Sequence, residues 1–184
     1  GSEYSGDYGL SDRALRGFHR PRMEVLADAG ADLLALETVP SVQEAEAMVA
    51  VLDGLPAGTR AWLSFTCADA RRTRCGDDVA AAFLLAAESD RIVAVGVNCT
   101  HPGFALDLVQ AAAEAGGRPV VVYPNSGERW DVAARRWRGN PAVGAGPEEV
   151  RRWVAAGAGF VGGCCRVGPD RIATMAEAVG SRSP

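Results

Sequence analysis

Short apolar runs alternate along the chain with longer segments of mixed polarity. The run over residues 32–37 is almost entirely apolar, as expected for a strand that is buried on both faces. Four later segments show the same pattern and are predicted as strands over residues 61–66, 92–97, 119–123 and 160–163. Repeated strand–helix units with buried strands predict a parallel sheet of βα units.

Helices are predicted between and around these strands from apolar periodicity and from end signals. The pattern over residues 11–29 is helical, with Pro21 disturbing its middle and Gly30 stopping it. Ser41 followed by Glu44 is a capping-box signature, which begins a helix that continues to about Leu52. Four further helices are predicted over residues 78–88, 104–115, 147–156 and 169–179.

Polar or reactive residues follow nearly every predicted strand, namely Glu37, Thr38, Thr66, Cys67, Asn98, Cys99, Asn125, Ser126, Cys164 and Cys165. A ring of such strand ends is where (β/α)8 barrels keep their active sites. An open doubly wound sheet would concentrate them at one switch point, and the sequence has no Gly-rich phosphate fingerprint to mark one. We therefore predict an α/β fold that is a partial (β/α)8 TIM barrel with five βα units.

Composition narrows the functional classes. The chain has 184 residues, which suits one domain over 1–184, and its net charge of -4 argues against nucleic-acid or anionic-membrane partners. All 19 basic residues are arginine, so Schiff-base chemistry on lysine is excluded. No apolar run is long enough to cross a bilayer and no signal peptide is visible, so we expect a cytoplasmic protein whose 5 cysteines are thiols.

Cys164 and Cys165 are adjacent and follow Gly162 and Gly163 at the end of the fifth strand. Neighbouring cysteines rarely close on each other, and in a regular strand they would point to opposite faces. The strand must therefore end at this pair, and we expect the two glycines to let the backbone turn both sulfurs toward one point. Two converging thiolates indicate a soft metal such as zinc that still lacks one or two ligands.

Cys99 supplies a candidate for the missing ligand. It ends the third strand, and alternate strands of a barrel contribute to the same interior layer, so Cys99 and Cys164 are expected at one height. Glu37 ends the first strand and belongs to the same alternate set. Three thiolates with one open position are typical of a catalytic zinc site. The alternative is that Cys99 is a small buried apolar residue.

Two segments together carry a family resemblance: Gly-Val-Asn-Cys-Thr over 96–100 and Gly-Gly-Cys-Cys-Arg over 162–166. They resemble the homocysteine S-methyltransferases, which are zinc-dependent (β/α)8 barrels. Segments 18–22, 36–38, 62–66 and 121–128 are similar to the family as well. The resemblance implies that the five strands correspond to the family's fourth through eighth. The domain then lacks its amino-terminal βα units, which help to bind substrate.

The resemblance also implies roles for particular residues. Cys99, Cys164 and Cys165 match the zinc ligands, and Glu37 matches an acid that helps to hold the amino group of homocysteine in the betaine-using members. The alternative for Glu37 is a barrel-rim residue paired with an arginine. Asn98 is expected to orient the loop that carries Cys99 or to contact substrate, and local backbone capping is an equal alternative.

The implied reaction is transfer of a methyl group from S-methylmethionine or S-adenosylmethionine to the homocysteine thiolate, which gives methionine. The choice of a sulfonium donor over betaine rests on the similarity of segment 123–128. One alternative is a methyltransferase for another thiol or a selenol; another is a non-catalytic zinc-binding remnant of the barrel. Expected partners are homocysteine, the donor, and either the missing amino-terminal segment or a second copy of the chain.

Four other features receive less weight. His101 could complete a structural site with three cysteines and one histidine, whereas Cys67 is expected to pack at the rim and Cys75 to be a loop thiol. The segment 125–146 is longer than ordinary connections and carries Trp130 and Trp137. We expect it to be functional or mobile, with an aromatic ring that covers a methylated cation or anchors a lid.

Overall fold

The computed structural model describes residues 6–115, 117–131, 133–139 and 146–180. Five parallel strands form the main sheet, namely β1 (Leu34–Val39), β2 (Ala61–Phe65), β3 (Ile92–Asn98), β4 (Val120–Tyr123) and β7 (Ala158–Val161). The helices are α1 (Asp12–Asp28), α2 (Val42–Asp53), α3 (Val79–Leu84), α4 (Ala105–Ala115), α5 (Pro147–Ala155) and α6 (Pro169–Gly180). A separate antiparallel pair consists of β5 (Arg129–Asp131) and β6 (Arg136–Arg138).

The order of strands in the main sheet is the order along the chain, β1-β2-β3-β4-β7, and all four pairings are parallel. Each strand is added to the same side of its predecessor, as in a barrel, whereas a doubly wound sheet reverses direction at a switch point. The five predicted strands and the predicted segment of a (β/α)8 barrel are thereby confirmed. The expectation that the first strand is buried on both faces is wrong: Ala35 and Glu37 are exposed, because β1 pairs only with β2 among the described residues.

The core lies between the sheet and the helices that cover it. Phe65 of β2 meets Phe83 of α3 edge to face, with ring centroids 6.0 Å apart, and Trp153 of α5 is fully buried. Gly96 allows β3 and β4 to approach closely, because a Cβ atom at this position would overlap the backbone carbonyl of Val121. The strand ends that carry the candidate site are therefore fixed by a packed interior.

The capping box predicted at Ser41 is only half formed. The Ser41 Oγ atom accepts a hydrogen bond from the Glu44 amide at 3.2 Å and begins α2 as expected. The Glu44 side chain does not return to Ser41: its Oε1 atom lies 2.8 Å from His19 Nε2 on α1. This part of the prediction is wrong, because a buried tertiary partner replaces the local one.

Within the described residues, β1 and β7 are the edge strands of the main sheet, and each pairs with a single neighbour. Beside β1 and α1 lies a groove of about 780 Å³, lined in part by Phe18, His19, Leu36 and Glu44. Among the helices of the described ranges, none is long and apolar enough to cross a membrane.

Candidate active site

Three cysteine sulfurs meet where β3 and β7 end. Cys99 follows β3 directly, and Cys164 and Cys165 lie just beyond β7. All three Sγ atoms lie within 4.8 Å of one another, and the Sγ atoms of Cys99 and Cys165 are 3.8 Å apart. The Sγ atoms of Cys99 and Cys164 are close enough to form a disulfide bond, and the Cα atoms of the two residues are 5.6 Å apart. The same sulfurs, when reduced, form a three-thiolate set of the kind that holds a soft metal.

Backbone hydrogen bonds connect Cys99 and the cysteine loop, which we define as residues 162–168, to the end of β4 and the residues after it. The amide of Cys99 donates to the Tyr123 carbonyl at 3.3 Å, and the amide of Cys164 donates to the Pro124 carbonyl at 2.8 Å. The Cys165 carbonyl accepts from the Ser126 amide at 3.0 Å. All three cysteines are thus positioned by one stretch of chain.

Gly163 is required for space. A Cβ atom at this position would overlap the Val167 side chain, and the left-handed backbone occurs instead at Cys99 (φ 48°) and Arg166 (φ 63°). In the loop after β7, the left-handed backbone therefore follows the cysteine pair, at Arg166, whereas Cys99 lies in the separate loop after β3. Glycine is needed at position 163 for space, and its part in turning the two sulfurs toward one point stays a prediction.

An ion pair supports this turn from outside. The Arg166 Nε atom donates to Glu128 Oε2 at 2.5 Å, and the Ser126 hydroxyl donates to the same oxygen at 2.9 Å. The hydrogen bond from Arg166 lowers the pKa of the Glu128 carboxyl below its usual value. The guanidinium group also lies 6.0 Å from the centroid of the Trp137 ring. The cysteine loop and segment 126–128 are therefore tied by charge as well as by backbone.

Glu37, at the end of β1, has a specific partner across the barrel interior. The Tyr123 hydroxyl donates to Glu37 Oε2 at 2.9 Å, and Trp62 Nε1 donates to the Tyr123 oxygen at 2.9 Å. Burial raises the pKa of Tyr123 above its ordinary value, so the phenol keeps its proton at neutral pH. Glu37 itself is exposed among the described residues, so its carboxylate is accessible to a ligand.

Asn98 is fully buried and its amide is used within the protein. Its Oδ1 atom accepts from the Thr38 amide at 2.7 Å and from the Ser64 hydroxyl at 2.9 Å, and its Nδ2 atom donates to Thr38 Oγ1 at 2.7 Å. These contacts hold the left-handed backbone of Thr38 (φ 60°), beside Glu37. The geometry supports a positioning role for Asn98 and leaves no exposed surface for the direct substrate contact that was expected as one alternative.

The remaining candidates lie outside the cluster. Burial raises the pKa of the Cys67 thiol to about 12, which suits the expected packing role, and Cys75 is exposed on a loop. His101 Nδ1 accepts from the Gly103 amide at 3.1 Å and caps the turn Pro102–Phe104. Among the described residues, the three cysteines are the only His, Cys, Asp and Glu side chains grouped tightly enough to hold a metal, so His101 is not brought to them.

The long segment 125–146 contains the hairpin of β5 and β6, which the sequence did not predict. Residues 132 and 140–145 and the Trp130 side chain lie outside the described parts of the chain, so the covering of a cation by this segment stays a prediction. Trp137 contacts Arg166. Residues 1–5, at the start of the chain, also lie outside the described ranges.

The sheet is a parallel barrel segment, and three cysteine sulfurs and a carboxylate lie at the carboxyl ends of its strands. This arrangement is typical of barrel enzymes that use cysteine thiolates in their active sites. The family model described as homocysteine S-methyltransferase matches residues 1–179. The chain belongs to the homocysteine S-methyltransferase family, and its relatives are enzymes.

Individual relatives agree with this assignment. The chain is 41% identical to a selenocysteine methyltransferase of Astragalus bisulcatus, over 94% of this chain and 52% of that protein. It is 39% identical to homocysteine S-methyltransferase YbgG of Bacillus subtilis, over 96% of this chain and 56% of that protein. The chain thus spans about half the length of the curated relatives it matches.

Solved structures show the same likeness. The oxidized form of the homocysteine methyltransferase MmuM from Escherichia coli matches with a TM-score of 0.81 and 40% identity, over all of this chain and 56% of that one. The metallated form of MmuM matches with a TM-score of 0.81 and 39% identity. The chain therefore has the fold of one part of that enzyme.

Three contacts at the site were not predicted from the sequence: the Tyr123–Glu37 hydrogen bond, its support by Trp62, and the Arg166–Glu128 ion pair. Tyr123 and Arg166 both lie in segments that resemble the family. A signal was available for Arg166, which directly follows the cysteine pair. No sequence signal marks the contact of Tyr123, because its partner Glu37 is 86 residues away and two strands of the sheet lie between them.

Proposed function

We propose that this chain carries the thiol-activating half of a homocysteine S-methyltransferase, which moves a methyl group from a sulfonium donor to the homocysteine thiolate and gives methionine. The single observation that carries the proposal is the cluster of three cysteine sulfurs within 4.8 Å of one another, in a chain of this family. In-line transfer then requires proximity and alignment of the two substrates rather than an acid, because a sulfonium donor leaves as a neutral thioether.

We propose zinc as the metal, held by Cys99, Cys164 and Cys165. Thiolates suit zinc, and three of them leave room for one more ligand, so the donor set fits the ion. Support also comes from MmuM, for which a metallated form has been solved. When bound, zinc would lower the pKa of the acceptor thiol and keep its sulfur nucleophilic. A disulfide between Cys99 and Cys164 would exclude this use, so metal binding requires the reduced protein.

The chain's own residues are proposed to hold the rest of the acceptor. The Glu37 carboxylate is exposed and has the charge that attracts the ammonium group of homocysteine. Asn98 fixes the backbone beside it through Thr38. The negative charge of a three-thiolate zinc site also attracts a cationic donor, and S-methylmethionine is favoured over betaine by the family likeness of segment 123–128.

A selenol is the second candidate acceptor. The observation that favours it is the 41% identity to a selenocysteine methyltransferase, slightly above the 39% identity to the homocysteine enzyme YbgG. Sulfur and selenium are both soft ligands, so the same three cysteines suit either acceptor. Chain length of the acceptor distinguishes them, because selenocysteine has one methylene less than homocysteine between its chalcogen and its Cα atom.

Turnover is proposed to need more of the barrel than these 184 residues. The chain spans 56% of MmuM, and the parts of the barrel that lie outside it are expected to complete the substrate pocket. A non-catalytic remnant that binds metal is the alternative function. A second chain or an amino-terminal segment is the proposed partner that would restore closure.

A single-turnover assay tests the proposal. The reduced, zinc-loaded chain, completed by the amino-terminal part of a relative's barrel, is mixed in excess over S-methylmethionine or betaine. Homocysteine or selenocysteine is supplied as acceptor, and the methylated product is measured. We expect methionine from homocysteine, and no product with a Cys165→Ser variant. Product from betaine but not from S-methylmethionine would overturn the donor. No product from any donor would overturn the reaction and favour the non-catalytic remnant.

A further inference from the structure

We propose that Tyr123 is a positioning residue that couples recognition of the acceptor's amino group to the cysteine cluster. This inference rests on the proposed function, because it assigns Glu37 to the ammonium group and the cysteines to the thiol. Neither the cysteine pattern nor the carboxylate alone gives Tyr123 a role. Its backbone and its hydroxyl, however, are bonded to opposite sides of the site.

The backbone of Tyr123 is attached to the cysteine side of the site. Tyr123 is paired with Asn98 in the register of β3 and β4, and its carbonyl accepts the amide of Cys99 at 3.3 Å. The carbonyl of the next residue, Pro124, accepts the amide of Cys164 at 2.8 Å. The end of β4 therefore contacts both segments that deliver sulfurs, and its displacement would move the cluster.

The side chain of Tyr123 reaches the opposite side of the site. Its ring crosses the ends of β3 and β2 to place the hydroxyl 2.9 Å from Glu37 Oε2 on β1. The ring packs edge to face on Trp62, with centroids 6.4 Å apart. A rigid aromatic side chain with its own packing partner thus sets the position of the Glu37 carboxylate.

The neighbouring donors and acceptors determine the direction of the hydrogen bond that the Tyr123 hydroxyl donates. Trp62 Nε1 is a donor only, so its hydrogen bond at 2.9 Å occupies a lone pair of the Tyr123 oxygen and leaves the O–H to be donated. Two acceptors lie within reach, Ser64 Oγ at 2.7 Å and Glu37 Oε2 at 2.9 Å. A carboxylate is the stronger acceptor, so the proton is directed to Glu37.

Ser64 has another use for its own proton. Its hydroxyl donates to Asn98 Oδ1 at 2.9 Å, and that atom is identified as oxygen because the Thr38 amide also donates to it, at 2.7 Å. The Tyr123 hydroxyl is therefore the group in this network that donates a hydrogen bond to Glu37. An ammonium group arriving at the exposed carboxylate then meets an acceptor whose orientation is already set, which lowers the entropic cost of binding.

The test compares two thiols on the reduced, zinc-loaded chain by calorimetry: homocysteine, and 4-mercaptobutanoate, which has the same thiol but no amino group. Tyr123→Phe keeps the ring and the backbone contact to Cys99 and removes only the hydroxyl. We expect the variant to bind homocysteine about tenfold more weakly and to bind 4-mercaptobutanoate as the wild type does. Zinc content, measured in parallel, is expected to stay unchanged.

A double-mutant cycle separates positioning from general disturbance. In a Glu37→Gln background, Tyr123→Phe is expected to cause little further loss, because both changes act on the same contact. Equal weakening of both thiols, or an unchanged preference for homocysteine in Tyr123→Phe, would overturn the inference while leaving the proposed function intact. A wild-type chain that binds neither thiol, or binds both equally, would overturn the proposed role of the site and this inference with it.

Discussion

Backbone conformation marks the candidate site at the scale of single residues. Among the described residues, four that are not glycine have positive φ, and three of them lie at the carboxyl ends of strands in this site: Thr38, Cys99 and Arg166. Each is held by a specific contact, respectively from Asn98, from the Tyr123 carbonyl and from Glu128. Such conformations persist where surrounding structure enforces them, and they cluster at functional sites.

Asn98 gives a direct test of this enforcement. Asn98→Ala removes the acceptor of the half-buried Thr38 amide and of the buried Ser64 hydroxyl, so we expect a loss of about 1–3 kcal/mol in the free energy of unfolding. Denaturant unfolding measures it. The control is Gln43→Ala, whose side chain bonds an exposed carbonyl at 3.4 Å and should change stability by less than about 0.5 kcal/mol. Equal effects of the two changes would contradict the assigned role.

The Cys67 thiol should be unreactive toward alkylating reagents in the folded protein, although it lies beside the site. It is 1% exposed and burial raises its pKa to about 12, so almost none of it is thiolate at about pH 8. We expect iodoacetamide at that pH to leave Cys67 unmodified in the folded protein and to modify it after denaturation. Peptide mass mapping reads the result, with exposed Cys75 as the internal comparison. Modification of Cys67 as fast as Cys75 would contradict its buried environment.

At the scale of elements, the sequence predicted what depends on local pattern. The apolar run over residues 32–37 predicted β1, of which Leu34 and Leu36 are buried. The periodicity over residues 11–29 predicted α1, although part of its apolar face is exposed. The hairpin of β5 and β6 could not be predicted, because its three-residue strands carry arginine and tryptophan rather than an apolar run. The cysteine cluster was predictable because strand ends of one parallel sheet converge, whereas the Tyr123 contact depends on side-chain reach across the barrel.

The Arg166–Glu128 ion pair links two such elements and predicts a pH dependence. The pKa of Glu128 is lowered in the folded protein, so its stabilising contribution is present above the unfolded carboxyl pKa of about 4.3 and is lost as pH falls through the lower folded value. We therefore expect Glu128→Gln to be less stable than the wild type at neutral pH, and the difference to disappear in acid. Thermal unfolding from about pH 7 to about pH 3 measures this.

A matched change controls for simple loss of a surface charge. Glu148→Gln removes a partner of Arg151 at 3.4 Å on the exposed face of α5, where ion pairs contribute little. Its stability should follow the wild type at every pH. If Glu128→Gln behaves in the same way as Glu148→Gln, the ion pair does not hold the cysteine loop.

At the scale of the whole molecule, the groove beside β1 and the adjoining face of α1 form an exposed apolar surface. Phe18 and Val25 of α1 are 63% and 67% exposed, and Glu44 Oε2 is buried without a hydrogen-bond partner among the described residues. Unpaired parallel edges and exposed apolar side chains favour association with further chain. The relatives, of which this chain spans about half, contain additional chain that could cover such a surface.

We accordingly expect the 184-residue chain alone to self-associate and to be a poor catalyst. A double change, Phe18→Lys with Val25→Lys, should shift it toward monomer, because it places charge on the exposed face of α1. Leu84→Lys, at a position on α3 that is 54% exposed, is the matched control and should leave association unchanged. Sedimentation velocity distinguishes them. A chain that is monomeric, unfolds cooperatively and turns over homocysteine at ordinary enzyme rates would contradict this view.

The zinc content of the purified, reduced chain and its cysteine variants tests the central claim most directly. We predict about one zinc per chain, and loss of most of it in Cys99→Ser, Cys164→Ser and Cys165→Ser, since these sulfurs form the cluster. Cys67→Ser and Cys75→Ser should keep their zinc, because neither belongs to that cluster. Full zinc content after replacement of Cys99, or loss only on replacement of Cys67 or Cys75, would contradict the assignment of the site.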